Sequence, residues 1–142
     1  MLRARLCAVA LLLAMASAVA SYAQTELPRM AAPEAIVLKW LSLVDTQNYG
    51  ASWDEAASAF RARVSREQWS QAARAARTPF GEVQKRTLKS ATPAKTLPGA
   101  PDGEYVVMQF ESAFEHKAAA VETVTVVHET DHYWRVVGYF VR

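Results

Sequence analysis

Residues 104–141 read EYVVMQFESAFEHKAAAVETVTVVHETDHYWRVVGYFV, and this stretch decides the fold. Val, Thr, Phe and Tyr dominate three runs, Glu104 to Phe114, Ala120 to Glu129 and Tyr133 to Val141, which the spacing predicts as strands. His116-Lys117 and Asp131-His132 stand at the breaks and suit two-residue hairpin turns. Strand side chains alternate between faces, so those turns predict which residues share a face. One face collects Val106, Met108, Phe110, Phe114, Val121, Thr123, Thr125, Val127, Trp134, Val136 and Phe140. It is nearly all apolar and should pack on helices. The other collects Tyr105, Val107, Gln109, Glu111, Glu122, Val124, Val126, His128, Arg135, Val137, Tyr139 and Val141. A single bulge would scramble this assignment.

Upstream, Glu82 to Thr92 alternates weakly and is rich in Lys, Arg and Thr, the composition of an edge strand. Lys85-Arg86 with Lys89 reads as its solvated margin. Pro98 to Gly103 is a turn cluster. Three helical patterns precede it. Pro33-Glu34 opens the first, in which Ile36, Val37, Trp40, Leu41 and Val44 form one apolar stripe; Asn48-Tyr49-Gly50 ends it. The second runs roughly from Ser52 to Phe60, with Trp53, Ala56, Ala57 and Phe60 on one side. The third starts at Ser65 with Gln68 three residues on, a capping-box spacing, and carries Trp69, Ala72, Ala73 and Ala76 before Thr78-Pro79 stops it. The expected class is α+β, three N-terminal helices packed on one face of a four-stranded antiparallel sheet. The tryptophans Trp40, Trp53, Trp69 and Trp134 read as core.

The first 23 residues have the layout of a cleavable secretory signal. Arg3 and Arg5 precede an uncharged apolar run, Leu6 to Ala16, shorter than the roughly 20 residues that span a bilayer. Ser21 and Ala23 fit the positions before a cut between Ala23 and Gln24, with a cut after Ala20 as runner-up. This predicts a signal over 1–23, a short lead over 24–33 and one domain over 34–142, in a periplasmic or secreted protein with no membrane span once processed. The single cysteine, Cys7, falls inside the signal, so the processed chain would have no disulfide. The 16 basic and 14 acidic side chains become 14 of each once Arg3 and Arg5 are removed. Export and zero net charge both argue against a nucleic-acid partner.

Trp40-Leu41-Ser42-Leu43-Val44-Asp45, Tyr49 with Ser52-Trp53, and Val64 to Trp69 carry a further signal. So do Leu97 to Val107, Val121-Glu122-Thr123-Val124-Thr125 and the Trp134-Arg135-Val136-Val137-Gly138-Tyr139 ending. On these residues the chain, from about Glu34 to its C-terminus, resembles a bacterial family called domain of unknown function 4019. Helices followed by such a sheet look like the NTF2-like (cystatin-like cone) superfamily. Asp131-His132 stands where the pattern leads one to expect Asp-Gly. The resemblance implies a cone with a pocket between helices and sheet, where NTF2-like enzymes hold their acid and base. Asp45, Tyr49 and Trp53 are the candidates for such a pocket here.

The sharpest set of ionisable residues is Glu122, His128, Arg135 and Tyr139, with Tyr105 beside them on the mixed face. A histidine near carboxylates suits proton transfer, and an arginine suits a carboxylate or phosphate. Cross-strand pairing and a protein interface account for the same residues. No catalytic group, cofactor or metal is assigned. His128 and His132 lie four apart on a strand entering a turn, unlike ligands on one helical face. Two functions remain from different classes. One is a non-enzymatic binding or assembly module, expected to pair as a homodimer or to take a small molecule or another periplasmic protein. The other is an isomerase-like enzyme using the pocket.

Overall fold

The computed structural model describes residues 32–142, so the signal over 1–23, its cut at Ala23 and Gln24, and most of the lead fall outside the described residues. The first helix, α1, is described over 32–45. Val37, Trp40, Leu41 and Val44 are buried at the expected spacing. Ile36 leaves that stripe and is 36% exposed. Gln47 takes a left-handed conformation (φ 60°) where the helix gives way.

The segment predicted as one helix from Ser52 to Phe60 is two, α2 (Tyr49–Asp54) and α3 (Ser58–Arg63). Between them Ala56 and Ala57 are fully buried. Ala57 is extended, and its N–H donates to the carbonyl of Val136 at 2.8 Å, a bond to the sheet that a continuous helix would forbid. Glu129 caps α3 from a distance, its Oε1 accepting from the Ser58 N–H at 2.9 Å. In α4 (Arg66–Arg77) the capping box forms as the spacing predicts. Ser65 Oγ accepts from the Gln68 N–H at 3.1 Å, and the Gln68 side chain accepts from the Ser65 N–H at 2.9 Å. A 3-10 turn over Thr78–Phe80 and Gly81 (φ 74°) lead into the sheet.

The sheet is antiparallel in the order β1 (Val83–Ala94), β2 (Tyr105–Phe114), β3 (Lys117–His128), β4 (Trp134–Val141). Its register departs from the expected one at three places. The β2–β3 turn is Glu115-His116, one residue early, because Phe114 pairs with Lys117; beyond it Ala118 and Ala119 face Ala113 alone, and Phe110 pairs with Glu122. This inverts β3. Ala120, Glu122, Val124 and Val126 point to the helices, while Val121, Thr123, Thr125 and Val127 point away. In β4 a second bulge, at Val137, lies between the Thr125–Gly138 and Val126–Val136 pairs. Val136 therefore faces inward as expected, Tyr139 faces inward against expectation, and Phe140 points out, 61% exposed. The β3–β4 turn is Thr130-Asp131-His132, one residue longer than expected, since the Glu129 N–H donates to the Tyr133 carbonyl at 2.9 Å; it holds His132 at φ 68°, the conformation that a glycine there would adopt without strain.

The helices lie on one side of the sheet. Trp40 packs on Tyr139 and Trp69 (5.6 and 5.7 Å between ring centroids), and Phe80 packs on Phe114 at 5.4 Å. Met108, Phe110 and Phe114 supply the strand side of that core.

Candidate functional site

One side chain from each long helix and each strand meets between the layers. Asp45 closes α1, Arg77 closes α4, and Arg86, Ser112, Glu122 and Tyr139 come from β1 to β4 in turn. Arg86 is the hub. Its Nη1 and Nη2 donate to Asp45 at 2.8 and 3.0 Å, and its Nε and Nη2 donate to Glu122 at 2.7 and 3.1 Å. Arg77 Nη2 donates to Asp45 Oδ1 at 2.8 Å. Ser112 Oγ and Tyr139 OH each donate to Glu122, at 2.6 and 2.7 Å. Glu122 is wholly buried and Arg77 is 5% exposed.

Two guanidinium groups face two carboxylates, so the cluster is close to neutral, and all four carboxylate oxygens accept hydrogen bonds. Charges this deep hold only when paired and bonded in this way. One polar atom is left over: Arg77 Nε is buried without a partner, its guanidinium 4.7 Å from the Phe114 ring centre. Contact with the aromatic face offsets part of that cost.

Burial alone would raise the Asp45 pKa, but bonds to Arg86 and Arg77 outweigh it and hold the carboxyl below its ordinary 3.8. Burial would ease a proton off Arg86; its bonds to Asp45 and Glu122 reverse that and bind the proton harder. Burial, reinforced by the nearby charge of Glu122, pushes the Tyr139 phenol well above its ordinary 10.0. Asp45, Arg86 and Tyr139 are therefore fixed in one protonation state at neutral pH, which suits a structural clasp and not a proton shuttle.

The same shifts set a pH window for stability. Asp45 and Glu129 are lowered from 3.8 and 4.5, so their contributions are complete above those values and erode as pH falls below them. Tyr139 is raised, so its contribution is complete below pH 10.0 and erodes above it, as the unfolded chain ionises first. Urea midpoints across pH should show a plateau with an acid and an alkaline limb. Tyr139→Phe should flatten the alkaline limb; an unchanged limb would mean that Tyr139 does not set it.

The structure divides the predicted set. Glu122 and Tyr139 enter the cluster with Asp45. His128 sits at the other end of β3, its Nδ1 3.0 Å from Glu104 and its Nε2 3.1 Å from the His132 carbonyl, with its ring stacked on Trp134 at 4.8 Å. Arg135 is paired with Glu129 and Asp131 at 2.7 and 2.8 Å. Tyr105 is buried, donating to the Pro101 carbonyl at 2.7 Å. The mixed face does not exist as a single surface. Of the pocket candidates, Tyr49 is buried and Trp53 donates to the Val64 carbonyl at 2.8 Å. The interior at Asp45 is filled by the two arginines.

Arg77, Arg86 and Ser112 escaped the sequence reading, although the two arginines left a trace. Arg77 continues the α4 stripe at Trp69, Ala73 and Arg77, four residues apart. Arg86 is in phase with Leu88, which pairs with inward-facing Phe110. It is no solvated edge residue: its side chain is 12% exposed. Among the described residues no helix is long and apolar enough to cross a membrane.

None of the curated proteins matches this chain. The family described as Protein of unknown function (DUF4019) matches residues 36–139, the helices, all four strands and every member of the buried cluster. That span covers well over half of the sequence, and the chain belongs to this family.

Proposed function

We propose that the chain is an exported, periplasmic protein that works by association rather than by catalysis, pairing with a second copy through the face of its sheet opposite the described helices. The carrying observation is a projection beside a depression on that face. Phe140, 61% exposed, stands next to Gly138, where an added Cβ would meet only Thr125, at 3.8 Å and beyond. Val107, Val121, Thr123, Thr125 and Val127 around them stay half exposed. A surface that carries both parts is self-complementary under a two-fold axis, as an isologous dimer requires. The interior offers catalysis little, since its carboxylates are committed to arginines.

The test is the solution mass of protein recovered from the periplasm of a Gram-negative host expressing all 142 residues, by light scattering after gel filtration. The expected mass is twice that of the processed chain, falling to the monomer in Phe140→Glu. Mass spectrometry of the same sample should find the N-terminus at Gln24. A wild-type monomer at every concentration that stays clear would overturn the pairing. Val124, in the centre of the mixed face predicted from sequence, is fully buried, so a charge there would report on folding alone.

A further inference from the structure

At the β2–β3 hairpin end of the sheet lies an open groove of about 700 Å³, lined among others by Lys85, Glu111, Ala113, Ala119 and Arg142. Its charges are unbalanced. Glu111 is neutralised by Lys89, 3.1 Å away. The third cation of the lining, Lys117, lies 5.5 Å from the Phe80 ring centre. Among the described residues the side chains of Lys85 and Arg142 make no ion pair or hydrogen bond.

The placing of these two cations restricts the ligand. Lys85 is on β1 opposite Ala113, and Arg142 follows β4, with its backbone bonded to Val121 of β3. Three inter-strand spacings separate them, about 14 Å across the sheet. A single phosphate or carboxylate would meet both only if the two side chains were drawn across the sheet toward each other. A ligand that meets both cations where they stand needs two anionic groups about that far apart, joined by a slender middle that passes over Glu111 and its Lys89 partner. In an extended peptide, residues i and i+4 point the same way and lie about 13 Å apart. The alanines Ala113 and Ala119 leave room for its backbone to come close.

We infer that this groove binds an extended acidic segment of a partner protein, with two carboxylates four residues apart. This goes beyond pairing with a second copy but uses part of the same sheet face, Val121 being common to both, so it is tested on the Phe140→Glu variant as well as on the wild type. Fluorescence anisotropy with the exported protein would use labelled peptides of equal charge, one with aspartates at its first and fifth positions and one with them adjacent. The spaced peptide is expected to bind more tightly. Lys85→Glu combined with Arg142→Glu should weaken it by about tenfold, the loss of two exposed ion pairs.

Equal affinity for the two peptides, or no effect of the charge reversals, would overturn the proposal. So would displacement of the peptide by inorganic phosphate as effectively as by unlabelled peptide. Anionic phosphatidylglycerol vesicles are the contrasting probe: binding to them that the two reversals abolish, with none to the peptides, would make the groove a membrane contact instead. Light scattering on the same samples keeps the two proposals apart. Lost peptide binding at unchanged mass bears on the groove alone, and a monomer that still binds peptide bears on the pairing alone.

Discussion

Replacing Arg86 with methionine is expected to destabilise the fold by about 3–5 kcal/mol, the range for breaking a buried ion pair from one side. The substitution removes both bonds to Asp45 and both to Glu122 in one step. Asp45 keeps Arg77. Glu122 keeps Ser112 and Tyr139, but its charge then has no guanidinium closer than Arg77, at 4.0 Å. The informative partner is the double replacement Arg86→Met with Glu122→Leu. An apolar pair of similar volume often matches a buried ion pair in stability, so the double variant should lose far less than the two single losses combined. Urea midpoints at unchanged slope measure all three. A single loss near 1 kcal/mol would mean that the cluster is wetter than its burial implies. Additive losses would mean that Arg86 and Glu122 are not energetically coupled.

Trp40→Ala should cost a comparable amount, about 3–5 kcal/mol. Its ring is 2% exposed between Trp69 and Tyr139, and its indole N–H donates to the Ser52 carbonyl at 2.8 Å. Ser52 is itself fully buried and also binds the indole of Trp69, so removing Trp40 opens a cavity and strands a carbonyl. Trp134 resembled Trp40 in the sequence, yet it is only partly buried, with His128 against one face. Trp134→Ala should therefore cost clearly less. Calorimetric melting of the two variants checks the ranking, and equal losses would refute it.

The contrast between these tryptophans marks where the sequence could be read and where it could not. Helical stripes and capping were legible because they depend on neighbours within one or two turns: Val37, Trp40, Leu41 and Val44 lie inside, and Ser65 caps α4 as its spacing requires. The number and order of strands followed from composition and turn residues. Facing did not, because it hangs on a register that one residue can shift. The irregularity at Ala118-Ala119 moved Glu122 from the predicted outer face to the centre of the core, and the bulge at Val137 let Tyr139 turn inward beside it. No pattern within β3 records this, since Val121, Thr123, Thr125 and Val127 are as plausible inside as Ala120, Val124 and Val126. The buried cluster was hidden for the same reason. Arg86 has the composition of an edge, and it turns inward only because Asp45 and Glu122 are there to meet it.

The cluster also bears on how long a folded molecule lasts. Its bonds join residues 32, 36 and 41 positions apart, and those from Arg77 and Arg86 to Asp45 close only when α1 has docked on α4 and on the sheet. Interactions absent from the folding transition state leave the folding rate alone and slow the reverse step. The energy held by Arg86 should therefore lengthen the lifetime of the native state more than it speeds its formation. Residues 32–142 contain no cysteine, so no covalent link there can do that work. A knot of charges that ties last and must be undone first is a latch against transient opening.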